Sequence, residues 1–71
     1  MFLRDAEVGK EYRVKNIGTE DEELNSFLFS LGCYSGEPIT VIARRRSGLT
    51  VSIKDGRYHF DMALSGVISV E

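Results

Sequence analysis

From Ile39 to Met62 apolar side chains recur on every second residue with few breaks. Ile39, Val41 and Ala43 alternate with Thr40, Ile42 and Arg44. Leu49, Val51 and Ile53 alternate with Thr50, Ser52 and Lys54, and Tyr58, Phe60 and Met62 with His59 and Asp61. A period of two marks half-buried strands, because successive side chains leave a strand on opposite faces. The runs are separated at Ser47-Gly48 and Asp55-Gly56. Asp-Gly is a strong hairpin signal, since a type I′ turn needs positive φ at both central residues. The spacing predicts a three-strand meander, with Pro38 at its start where a missing N–H is tolerated.

Two more strands and one helix complete the reading. Tyr12 to Ile17 alternates, with Tyr12 and Val14 on one face and Arg13 and Lys15 on the other, and Gly18 ends it. Val67 to Val70 reads as a last short strand. Between Gly18 and Gly32 the period changes. Leu24, Phe27, Leu28 and Leu31 stand at i, i+3, i+4 and i+7, one face of a helix over about 20–31. Thr19 with Glu22 has the spacing of a capping box, and the acids Glu20 to Glu23 suit the positive end of the helix dipole. Gly32 follows at once, where a left-handed C-cap is cheap for glycine. The expected fold is mainly β, a small barrel of five to six short strands with one inserted helix, closed on itself so that no sheet edge is left exposed.

Size and charge narrow the function. Seventy-one residues are expected to form one domain, 1–71, with a thin core. The single Cys33 excludes an internal disulfide, and no run approaches the roughly 20 apolar residues of a membrane span. Met1 to Asp5 lacks the apolar core of a signal peptide, so a cytoplasmic location is expected. Nine Lys+Arg against eleven Asp+Glu give a net charge of −2, which argues against a phosphate-backbone binder.

The ordered motifs resemble the FeoA family. They are Leu3; Val8-Gly9-Lys10 with Tyr12-Arg13-Val14; Leu31-Gly32-Cys33-Tyr34-Ser35-Gly36; Ile39-Thr40-Val41; and Ile68-Ser69-Val70. The chain departs from the family pattern at Ser35, where Pro is usual, at Ser65, where Ala is usual, and over Arg44 to Gly48. The resemblance implies an SH3-like barrel and a non-enzymatic accessory role in ferrous-iron uptake. It implies as partner a FeoB-type membrane transporter, met through its cytosolic GTPase region. An alternative is a metal-sensing module like the C-terminal domain of iron-dependent repressors. A third reading is a small-barrel nucleic-acid binder using Arg44 to Arg46 with Tyr34 or Tyr58 as stacking surfaces.

Individual side chains offer little catalysis. One Cys and one His make a poor nucleophile–base set, and no Gly-rich phosphate loop is present. His59 and Asp61 share a strand face, so both can touch one ion, with Cys33 a third donor if its turn lies close. Three or more ligands are the norm for a transition metal, so any Fe2+ or Zn2+ binding is expected to be weak. For a partner surface the candidates are Arg44, Arg45 and Arg46, expected to fan outward together at a hairpin tip, and Phe29, which lies off the apolar stripe of the helix.

Overall fold

The computed structural model describes all residues, Met1–Glu71. The chain runs from a 3-10 turn, Leu3–Asp5, through β1 (Glu11–Ile17), α1 (Glu22–Leu31), β2 (Pro38–Arg45), β3 (Gly48–Ile53), β4 (Gly56–Asp61), α2 (Met62–Ser65) and β5 (Ile68–Val70). The five strands form one sheet in the order β4-β3-β2-β1-β5, every neighbouring pair antiparallel. β2, β3 and β4 are the expected meander. Its inward side chains Ile39, Val41, Leu49, Val51, Ile53 and Phe60 are all buried. Tyr12, Val14, Ile68 and Val70 join them from β1 and β5.

The barrel is not closed by strand pairing, which corrects the expectation of a sheet without edges. β4 and β5 are the two end strands and are not paired with each other. The helix α2 leads directly from one to the other, and the 3-10 turn packs against both α2 and β5. Leu3 and Ala6 plug this side, both fully buried. The N-terminal strand-like contact is held by Val70 N–H donating to Met1 O at 2.8 Å, and by Tyr12, whose hydroxyl accepts from Glu7 N–H at 3.0 Å.

Each hairpin turns one residue earlier than expected. Arg45 pairs with Gly48, so Arg46-Ser47 is the first turn; Ile53 pairs with Gly56, so Lys54-Asp55 is the second. In the second turn Lys54 alone is left-handed, at φ 52, so the type I′ expectation for Asp55-Gly56 fails. Gly48 is instead a strand residue at φ 148, and a Cβ there would sit 2.2 Å from Phe60 O. Its role is to let β4 approach.

The helix is shorter than expected and capped differently. Asp21 is the N-cap, its Oδ1 accepting from Glu23 and Leu24 N–H, while Thr19 Oγ1 accepts from Asp21 N–H. The Thr19–Glu22 box does not form, because the helix begins two residues later, where the Asp21 carboxylate takes the orphan N–H groups of Glu23 and Leu24. At the other end Gly32 is left-handed, φ 91, and donates to Leu28 O and Phe29 O as the C-cap. The stripe is also narrower. Leu28 is buried, Leu24 and Leu31 are half-buried, and Phe27 is 50% exposed. A helix laid on the rim of a small barrel buries one ridge, not a broad face.

Alternation suggests that β4 runs through Met62, but the strand ends at Asp61 and a second helix begins at Met62. Asp61 stops the strand by capping α2, its Oδ1 accepting from Leu64 N–H at 2.7 Å. Ser65, the departure from the family's Ala, is fully buried and donates to Phe60 O at 3.5 Å.

Candidate partner-binding surface

The three arginines do not share one fate. On β2 the register steps from Val41 opposite Val51 to Ala43 opposite Thr50, so Ile42 is the extra residue of a β-bulge. Past the bulge the alternation is inverted. Arg44 lies opposite buried Leu49, and directly opposed residues share a face, so Arg44 points to the inner side at the barrel end. There its guanidinium donates to Arg4 O and to Ala6 O, each at 2.7 Å. Arg44 stays exposed, but its guanidinium clamps the N-terminal plug instead of fanning outward. Arg45 and Arg46, also exposed, have no ion pair.

Phe29 is 63% exposed, and it is not isolated. Its ring stacks on Tyr34, centroids 4.7 Å apart and planes inclined by 27°. The Gly32 cap makes this meeting by turning the chain back after α1. Lys54 Nζ stands 5.8 Å from the centroid of the Tyr34 ring and pairs with Glu37 Oε2 at 3.2 Å, the one salt bridge of the molecule. The Glu37 carboxylate holds the Lys54 ammonium above its ordinary pKa. The result is an ordered aromatic pair with a fixed cation beside it. Sequence reasoning singled out Phe29 and Tyr34 separately; Lys54 and Glu37 carried no signal, because their meeting depends on two different turns.

The metal candidates are not brought together. Asp61 is exposed but spends Oδ1 on the α2 cap. His59, also exposed, has its Nε2 3.4 Å from Ser47 Oγ. Cys33 is 1% exposed, and burial pushes its thiol up to about 11, so at neutral pH it is protonated and shielded from solvent. No group of three or more His, Cys, Asp or Glu side chains is placed to hold an ion. These residues do not fit a resident metal. No helix is long and apolar enough to cross a membrane.

The architecture defines a small SH3-like barrel whose distinctive groups lie on its surface. The family model of the FeoA domain matches residues 1–71, and the chain belongs to that family. Among solved structures it is similar to the Stenotrophomonas maltophilia FeoA complexed with zinc, described as a procaryotic SH3 domain protein. The identity is 17%, the TM-score 0.87, and the match covers 100% of this chain and 89% of that one. It is similar to the iron(II) transport protein A of Clostridium thermocellum at 22% identity and a TM-score of 0.89, covering 100% and 44% of the two chains. A manganese-dependent transcriptional repressor in complex with manganese matches at 22% identity and a TM-score of 0.87, over 100% of this chain and 35% of the repressor. Likeness at these identities concerns the fold. No curated protein sequence matches the chain.

Proposed function

We propose that this chain is a non-enzymatic accessory protein of ferrous-iron uptake that acts in the cytoplasm by binding the GTPase region of a FeoB-type membrane transporter. The observation that carries the reading is the FeoA match across residues 1–71. The surface supports a binding role. Arg45 and Arg46 project from the β2–β3 turn without an internal anion, and Phe29 is held ready by its stack on Tyr34. An ordered aromatic loses little entropy on docking, and exposed guanidiniums raise association rate and specificity more than affinity. Binding of this kind shifts a partner's conformational equilibrium only by its differential affinity for the two states.

The metal-sensing reading has the repressor likeness behind it but no convergent ligand set. On the accessory reading, Fe2+ or Zn2+ is cargo of the system, with His59 and Asp61 as weak surface contacts. The test is a calorimetric titration with the cytosolic domain of a FeoB-type transporter. Arg45→Glu with Arg46→Glu should weaken binding at low salt and leave the melting midpoint unchanged, with the gap between variant and wild type closing as salt rises. Equal binding by wild type and variant at low salt would remove the hairpin tip from the interface. No binding by the wild type would remove the proposal.

A further inference from the structure

The two end strands of the sheet are finished differently. The outer edge of β5 is covered: Phe2 forms an antiparallel bridge with Ser69, and Val70 N–H donates to Met1 O at 2.8 Å. The outer edge of β4 has no such cover, since β4 pairs only with β3. The hairpin fixes which main-chain groups that edge presents. A two-residue turn at Lys54-Asp55 makes Ile53 and Gly56 a hydrogen-bonded pair, so the alternate residues Tyr58 and Phe60 also bond to β3. The N–H groups of Arg57, His59 and Asp61 therefore face away from β3. None of the backbone bonds made by loops, turns and caps reaches the main chain of these three residues. Free edges are commonly blunted by proline, lysine or a bulge. β4 contains neither residue, and its register with β3 is unbroken from Gly56 to Asp61.

The charges on this strand match a second copy of it. Arg57 and Asp61 are exposed, and neither has an ion-pair partner, since the only salt bridge joins Lys54 to Glu37. They share a strand face about 13 Å apart, too far to meet each other. Asp61 commits Oδ1 to the α2 cap and leaves its other oxygen free. In an antiparallel copy with His59 opposite His59, Arg57 faces the partner's Asp61, Asp61 faces the partner's Arg57, and Tyr58 faces the partner's Phe60. The neighbouring symmetric registers lose this match. Centred on Tyr58, Asp61 meets Asp55; centred on Phe60, Arg57 falls opposite Ala63, beyond the end of the strand.

We propose that β4 is a self-association edge, two copies pairing β4 to β4 about a two-fold axis at His59 so that Arg57 of each meets Asp61 of the other. The interface is isologous, and its alternating charges favour a second copy over a strand of uniform charge. One strand is a narrow contact, so the association is weak and concentration-dependent. The inference concerns the chain alone and does not rest on the transporter reading.

Sedimentation of the full chain from micromolar to millimolar concentration should show a reversible monomer–dimer equilibrium. At low salt Arg57→Glu, which sets like charges opposite, should weaken association by about tenfold, the gap narrowing as salt rises. His59→Pro removes an N–H that faces outward in the monomer, so thermal melts should show a folded chain that no longer dimerises. Oxidative cross-linking reads the register, and with Arg57→Glu it reads the interface whether or not the proline variant folds. His59→Cys sets two thiols on the axis, at the roughly 5.5 Å Cα separation of a hydrogen-bonded pair, and a mild oxidant should give a covalent dimer. Arg57→Cys sets them at least about 13 Å apart and should not. A chain that stays monomeric at every concentration would overturn the proposal and leave the edge to a strand of another protein. So would dimerisation by a folded His59→Pro variant, or cross-linking through position 57 instead of 59.

Discussion

The β2–β4 meander and the two helices bind the same barrel in different ways. Each meander strand turns alternate residues into the core, and the inward ones are buried to within 1%. The helix α1 contributes one fully buried residue, Leu28, and leaves Phe27 and Phe29 half or more exposed. The meander supplies six of the fourteen buried core side chains, while α1 supplies one. Surfaces that must meet partners belong on the second kind of element, because apolar groups there remain outside without weakening the fold.

The sharpest break in this comparison is at the hairpin approach. Gly48→Ala places a methyl group 2.2 Å from a backbone oxygen and 2.8 Å from Asp61 Cα, neither of which can swing away. We expect a loss of about 4 kcal/mol or more, enough to unfold a domain of this size. Circular dichroism of the purified variant should show the loss of the β-signal; a melting midpoint within a few degrees of wild type would contradict the assigned register.

Core truncations come next. Phe60→Ala in β4 should cost roughly 3–5 kcal/mol and Leu28→Ala in α1 roughly 2–5 kcal/mol, because both are buried. If the helix is the thinner layer, Leu28→Ala should lie at the lower end of its range and retain the meander's slow-exchanging amides. Chemical denaturation with amide exchange reads both quantities. Equal costs with complete loss of protection would make the two regions one cooperative unit.

The smallest effects separate the arginines. Arg44→Gln removes the clamp on Arg4 O and Ala6 O and should cost about 1–2 kcal/mol. Arg45→Gln or Arg46→Gln, at exposed unpaired positions, should change stability by no more than about 0.5 kcal/mol. The order of the three denaturation midpoints tests whether the bulge at Ile42 has inverted the strand.

That inversion shows where sequence reading stops. Alternation from Leu49 to Ile53 placed every inward residue correctly, because parity is a local property. The bulge is a property of pairing: nothing in Val41-Ile42-Ala43 says that β3 advances one residue while β2 advances two. The turns were misplaced by one residue for the same reason, since cross-strand register, not the Gly, decides which residues are central. Asp21 outcompeted Thr19 because both are good caps two residues apart. The helix α2 was hidden because Met62 continued the alternation of Tyr58 and Phe60. At the surface the arginine run and Phe29 were legible as unusual residues. The clamp by Arg44 and the stack of Phe29 on Tyr34 were not, because each is made by elements distant along the chain or turned by a cap.

The central claim, a rigid meander presenting its recognition groups at the hairpin tip and the end of α1, is tested most directly by amide hydrogen exchange of the chain with and without the transporter's cytosolic domain. The account predicts added protection over residues 45–48 and 27–36, with the slowest amides of β3 unchanged. Absence of any added protection, or protection confined to β1 and β5, would contradict it.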